Sequence, residues 1–105
     1  MTLGEAVKAM QEGKVVTRDA YRASLVIFMQ IPALISREMV PTMKSLPNDM
    51  KILLDVCQAG VKYRDQFICY DFDDEVATYA AFDGEDINAT DWKIVNPLAY
   101  NPYED

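Results

Sequence analysis

The longest uninterrupted apolar run in the chain is Leu25-Val26-Ile27-Phe28-Met29, continued through Gln30 to Ile31. It is far short of the roughly 20 residues that a membrane-crossing helix needs. A run this apolar reads as a strand that should be central in the sheet. Pro32 follows at once and limits regular pairing there, because proline has no N–H to donate to a ladder. The rest of the chain therefore has to supply flanking strands and the layer that covers them.

With 105 residues, half of them hydrophobic, the chain is read as one domain, since halves of it would bury too little to stand alone. The predicted class is α+β, an antiparallel β-sheet of about five strands with an N-terminal amphipathic helix and a second helix in a central insertion. The domain is expected over residues 1–95, with 96–105 as a C-terminal tail. The opening Met1-Thr2-Leu3-Gly4-Glu5 lacks a basic stretch leading into an apolar one, so the expected compartment is the cytoplasm, bacterial or host. No membrane partner is expected.

Histidine is absent, which removes the commonest general base and the commonest metal ligand together. Without histidine or a Cys-x-x-Cys pair a zinc site is not expected, and no other metal and no cofactor is assigned. Cys57 and Cys69 lie far apart in apolar contexts and are read as reduced core residues. A disulfide stays open only if their Cα atoms come within about 7 Å. A net charge of -7 argues against a nucleic-acid polymer as partner, because counterion release needs a basic surface. A small anion in a local basic pocket is compatible with it, since the local field decides such binding.

Along the chain, Leu3 to Glu12 reads as a helix. Thr2 and Glu5 form its capping box, Leu3, Ala6, Val7 and Met10 its apolar face, and Gly13 its left-handed exit. Lys14 to Arg18 has strand periodicity, and Asp19 to Ser24 is a polar connection into the central strand. Ser36 to Pro47 is expected to be irregular, with Pro41 and Pro47 barring a long helix. Asn48 can then cap a helix over Asp49 to Ala59 that shows Met50, Leu53, Leu54 and Cys57 on one face and ends at Gly60. Val61 to Tyr70 reads as a strand, Asp71 to Glu75 as a hairpin loop, and Val76 to Ala81 as the return strand. Asp83-Gly84-Glu85 turns the chain, Asp86 can cap one helical turn over Ile87 to Thr90, and Trp92 to Val95 makes a last strand.

Two stretches carry a family likeness: Glu12-Gly13-Lys14-Val15-Val16 with Arg18 and Tyr21, and Asp86-Ile87-Asn88-Ala89-Thr90-Asp91-Trp92-Lys93-Ile94-Val95. Together they resemble the second Thoeris anti-defence family of phage proteins. The likeness spans most of the chain, with Ser36 to Gly60 outside it as an insertion or divergent loop. It implies a small α+β protein, assembled as a homotetramer, that works as a sponge. Such a sponge binds cyclic nucleotide-like immune signals, glycocyclic ADP-ribose or cyclic dinucleotides, without cleaving them. Where the family typically has Trp-Asn-Gly, this chain has Tyr21-Arg22-Ala23, and a tryptophan usual in the late hairpin stands here as Tyr79.

A pocket for such a signal wants aromatic faces for bases, acceptors for hydroxyls and amines, and a cation for phosphate. On that basis Tyr21 and Tyr79 can stack on a base, Arg18 and Arg22 can pair with phosphate, and Asp86 can accept from a ribose hydroxyl or an exocyclic amine. Each has an ordinary structural role beside it. The two tyrosines suit a core edge or interface, Arg18 a salt bridge, Asp86 a helix cap, and Trp92 a hydrophobic anchor under the sheet. Two other classes compete. An enzyme finds little support: the run Asp71, Asp73, Asp74 and Glu75 matches no calcium loop, and no phosphate-binding glycine loop or activated serine occurs. An acidic inhibitor module, docking on a host or phage protein, fits the net charge and the acidic run.

Overall fold

A computed structural model describes residues 1–103. The chain divides into two compact units, one formed by Met1–Gln30 and the residues from Gln66 onward, the other by Ile31–Asp65.

The first unit carries helix α1 (Leu3–Gln11) and strands β1 (Val16–Arg18) and β2 (Leu25–Gln30). The second holds β3 (Ala33–Ile35), α2 (Asn48–Val56) and β4 (Val61–Tyr63). The chain then returns to the first unit with β5 (Gln66–Asp71), β6 (Val76–Tyr79), α3 (Gly84–Asn88) and β7 (Trp92–Ile94). This is the predicted α+β class: a five-stranded sheet in the order β6-β5-β2-β1-β7, antiparallel throughout, with a separate two-stranded sheet of β3 and β4. The apolar run does occupy the middle, as β2, pairing with β5 from Leu25 opposite Asp71 to Gln30 opposite Gln66.

Helix α1 forms as its sequence dictates. Thr2 Oγ1 accepts from the Glu5 N–H at 3.2 Å while Glu5 Oε1 accepts from the Thr2 N–H at 2.9 Å, and Gly13 leaves the helix at φ 90°. Its buried Ala6, Ala9 and Met10 pack with Val16, Ile27 and Trp92 into the core. Val16 pairs with Ile27 and Ile27 with Cys69, so these share the face that α1 covers. All three residues of β1 are buried, because Thr17 on the opposite side is also sheltered and spends its hydroxyl on the Leu25 carbonyl at 2.8 Å. The segment after β7 folds back by a turn at Asn96, whose carbonyl accepts from the Tyr100 N–H at 2.9 Å. That turn sets the Tyr100 ring 6.0 Å from Phe72. Of the segment expected as a tail, residues 104–105 lie outside the described ones.

Several expectations are corrected. Val61 to Tyr70 is two strands: β4 ends at Tyr63, having paired with β3, and β5 starts afresh at Gln66. Alternating polarity reports which face a residue takes and is silent about its partner, so it carried no sign of the break. The hairpin's return strand ends at Tyr79 rather than Ala81, and its turn uses Glu75 at φ 55° without a glycine. Asp83, three residues earlier than expected, caps the short α3, and Asp86, the third residue of the helix, is its reciprocal partner in that capping box.

In the second unit, Arg37–Thr42 forms a short 3-10 helix containing Pro41 where irregular chain was expected. Pro47 precedes α2 and Asn48 is already helical, without a side-chain cap. The helix ends at Val56, and the left-handed exit is made by Gln58 at φ 54° instead of Gly60. Gly60 is needed for another reason: a Cβ there would collide with the backbone oxygen of Ile35. Of the predicted inward face of α2 only Leu54 is buried, while Met50, Leu53 and Cys57 are exposed. Cys57 is thus not a core residue. It and the half-buried Cys69 are both free thiols.

Candidate functional site

Arg18, the last residue of β1, is 7 % exposed, and its guanidinium is held on several sides. Nη1 donates to Asp86 Oδ1 and Nε to Asp91 Oδ1, each at 2.8 Å, and Nη2 lies 3.6 Å from Glu85 Oε1. The Tyr21 and Trp92 rings flank it at 5.3 and 5.9 Å. A charge this sheltered has to be paired, and these bonds, Asp91 first, raise its pKa further. Asp91 also accepts the Ala20 N–H through Oδ2 at 3.0 Å, which fastens the turn after β1.

Asp86 is the hub of this cluster. Its Oδ1 accepts from Arg18 and from the Tyr21 hydroxyl at 2.6 Å, its Oδ2 from the Asp83 N–H at 3.2 Å, and its carbonyl from Trp92 Nε1 at 3.0 Å. Burial pushes this carboxyl up, but the bonds from Tyr21, Arg18 and the Asp83 backbone outweigh it and hold the group below its ordinary value. Both carboxylate oxygens are thereby occupied within the fold. Trp92, 2 % exposed, is the core anchor the sequence suggested, with Tyr21 edge-on at 5.7 Å and Phe82 at 5.9 Å.

Tyr21 is half-buried, and desolvation together with Asp86 pushes its hydroxyl well above the ordinary tyrosine value. Its neighbour Arg22 is the freer cation: its side chain is exposed, with a single partner among the described residues, Asp71 Oδ2, at 3.0 Å. Arg18, Tyr21 and Arg22 border one depression of about 330 Å³, which Thr17, Asp19, Ala23, Lys93, Tyr100 and Asn101 complete. Lys93 Nζ lies 2.7 Å from Asp19 Oδ1, an exposed pair on the rim.

Of the five residues singled out from sequence, four are therefore brought together, Asp86 from beneath the depression rather than in its wall. Tyr79 stands apart. It is 72 % exposed on the edge strand β6 and borders a separate open depression of about 620 Å³ with Phe28, Gln30 and Ile68. Lys93 was missed, although strand parity offered a signal: with Trp92 turned inward, its neighbour had to face the other way. Tyr100 and Asn101 lie in a segment without periodicity, and nothing in it announced them.

Among the described residues no group of three or more histidine, cysteine or acidic side chains is placed to hold a metal, and no helix is long and apolar enough to cross a membrane. Residues 1–95 match the model of the Tad2-like family, described as a Thoeris anti-defense 2-like domain. No curated protein matches the chain.

Proposed function

Because the chain belongs to the Tad2-like, Thoeris anti-defense 2-like, family, we propose that it binds a cyclic nucleotide-like immune signal and holds it uncleaved, out of reach of the effector it would activate. The observation that carries this reading is the depression bordered by Tyr21, Arg22 and Lys93. It offers an aromatic ring and two accessible cations in a chain of net charge -7, the combination a base and a phosphate require. Arg18 and Asp86 serve this site indirectly: their bonds fix the Tyr21 ring, so the stacking surface is preorganised. Tyr79 contributes a stacking face only if a second copy brings it to the ligand.

A volume of about 330 Å³ is at the lower end for small-molecule sites and suits one part of a cyclic signal. A homo-oligomer, a tetramer in this reading, would complete the enclosure. Glycocyclic ADP-ribose and cyclic dinucleotides are the candidate ligands, and the compartment is the bacterial cytoplasm in which such signals are made. No step of catalysis is assigned: the chain has no histidine, and among the described residues no cluster of acidic or cysteine side chains is placed to hold a metal.

Thermal melting of the full chain against a panel of cyclic nucleotides tests this. A ligand at about 100 times its dissociation constant should add roughly 2.7 kcal/mol of stability, and chromatography of the released ligand should return it unchanged. A panel without any shift would leave the acidic inhibitor module as the better reading, supported by the exposed run Asp73, Asp74 and Glu75. Release of cleaved ligand would overturn sequestration in favour of an enzyme.

A further inference from the structure

We propose that Tyr100 is a specificity-determining gate: it walls the polar depression off from an apolar chamber on the outer sheet face, and swings aside to admit a flat apolar ring borne beside a phosphate. This rests on the reading above in taking the depression as the seat of the phosphate, and it adds a compartment that the reading does not use.

Strand parity builds the chamber. Ile27 and its partner Cys69 turn toward the core that α1 covers, so Val26 with its partner Tyr70, and Phe28, face the other way. Phe72 follows, its ring 4.8 Å from that of Tyr70. With Pro97 and Pro102 these side chains border a space of about 400 Å³, within the range of small-molecule sites. Among the described residues Tyr100 alone borders both this chamber and the depression of about 330 Å³ that holds Arg22 and Lys93. Moving that one side chain joins an apolar space to a cationic one, the division that a phosphate with an attached ring presents.

The segment that carries Tyr100 lies beyond the residues matched to the family and is lightly held. Among the described residues, 96–103 hydrogen-bond only within themselves. The Ala99 and Tyr100 N–H groups donate to the Asn96 carbonyl, Leu98 N–H to Asn96 Oδ1 and Tyr103 N–H to Asn101 Oδ1. What holds the segment on the sheet is apolar contact, with the Tyr100 ring 6.0 Å from that of Phe72. The Tyr100 hydroxyl is buried without a hydrogen-bond partner among the described residues. A buried donor left unpaired opposes the closed position, and swinging out returns it to water. Burial pushes its pKa up and the charge of Lys93 draws it back, as befits a hydroxyl near the wall of the depression.

The test titrates the full chain with N-methylanthraniloyl-ADP, a nucleoside diphosphate carrying a flat apolar fluorophore whose emission rises when it leaves water. A saturable rise is expected, one that inorganic pyrophosphate competes away and Arg22→Ala weakens. The apparent dissociation constant is the intrinsic one divided by the open fraction, so Tyr100→Phe, which deletes the unpaired hydroxyl and keeps the ring, should raise it about threefold or more. Tyr100→Ala removes the wall and should lower it by a similar factor. Without ligand, Tyr100→Phe should melt no lower than the parent. A residue that only packs would weaken binding in both variants or change it in neither, and either result overturns the gate while leaving the depression as an anion site. Should Tyr100→Ala fail to fold, Tyr100→Phe decides, and affinity equal to or tighter than the parent's overturns the gate. A rise that neither pyrophosphate nor Arg22→Ala affects overturns the pairing of the two spaces and, with it, the phosphate seat taken from the reading above. No rise in either the parent or Tyr100→Ala overturns the chamber as a site.

Discussion

The Tyr21 hydroxyl donates to Asp86 Oδ1 at 2.6 Å, onto the same oxygen that receives Arg18 Nη1 at 2.8 Å. Residues 65 and 68 positions apart in sequence from Asp86 thus converge on one carboxylate oxygen. That oxygen therefore sets both the orientation of the aromatic ring and the placement of the buried cation beside it. The ring is then braced edge-on by Trp92, whose indole N–H is spent on the Asp86 carbonyl. One short helix, α3, in this way holds the floor of the candidate pocket.

Removing only the hydroxyl separates these roles. Tyr21→Phe keeps the ring and deletes one donor to a charged acceptor, which should cost about 1.5–3 kcal/mol and lower the melting temperature accordingly. Ligand uptake, measured calorimetrically below that temperature, should persist. Tyr21→Ala should lose stability and uptake together. Uptake surviving in the alanine variant would dismiss the ring as a stacking surface.

Arg22 and Arg18 should behave oppositely. The Arg22–Asp71 pair is largely exposed on the arginine side, and such pairs are worth about 0–1 kcal/mol. Arg22→Ala should leave the melting temperature within a few degrees, about 4–8 °C per kcal/mol at this size, while weakening an anionic ligand roughly tenfold. Arg18→Ala, in contrast, strands Asp86 and Asp91 without their shared cation, so the loss appears first in the melting curve. If Arg22→Ala bound the signal as tightly as the parent, the cation would have to come from Lys93 or from another copy.

Stability should fall on both sides of neutrality, for opposite reasons. Asp91, chiefly through its bond from Arg18, and Asp86, through bonds that outweigh its burial, are held below the ordinary carboxylate range. The unfolded chain binds more protons than the fold across that interval. Their contribution is complete above the unfolded value near 3.8 and is lost as pH drops through the folded values. Tyr21 is raised, by burial and then by Asp86, from the ordinary 10.0, so its share is complete below pH 10.0 and disappears as pH climbs through the folded value. Melting temperature against pH should show a plateau with an acid and an alkaline decline, and Tyr21→Phe should shrink the alkaline one. An unchanged alkaline decline in that variant would mean another group governs it.

Local patterns were legible in the sequence. The Thr2 and Glu5 box, the left-handed Gly13, the central β2 and the inward Trp92 each follow from neighbours a few residues away. What could not be read were partnerships over long separation. Nothing in Val61 to Tyr70 tells that its first three residues pair with Ala33–Ile35 and its last six with Leu25–Gln30. The site divides along the same line. Arg18, Tyr21 and Arg22 lie within five positions of one another, so their proximity was legible, whereas the commitment of Asp86 to two of them spans 65 and 68 positions and was not. Tyr79 was joined to them by the family likeness and by its chemistry, and the strand register sends it elsewhere.

The exit from α2 gives a prediction that runs against the sequence reading of its glycine. Gln58 occupies the left-handed conformation at φ 54°, which costs a residue with a Cβ about 1 kcal/mol or more. Gln58→Gly should relieve it, although the more flexible unfolded chain takes back roughly 0.4–1 kcal/mol, so the net change should be near zero. Gly60 is not in that conformation, but a Cβ added to it would collide with the Ile35 backbone oxygen, which cannot swing away as a side chain would. Gly60→Ala must therefore push the chain after α2 away from β3, at a cost of about 1–3 kcal/mol. Hydrogen exchange should localise the loss to amides of residues 33–35 and 61–63, whose pairing begins next to this contact. If Gly60 served only to stop the helix, Gly60→Ala would be mild and Gln58→Gly the variant with the larger effect.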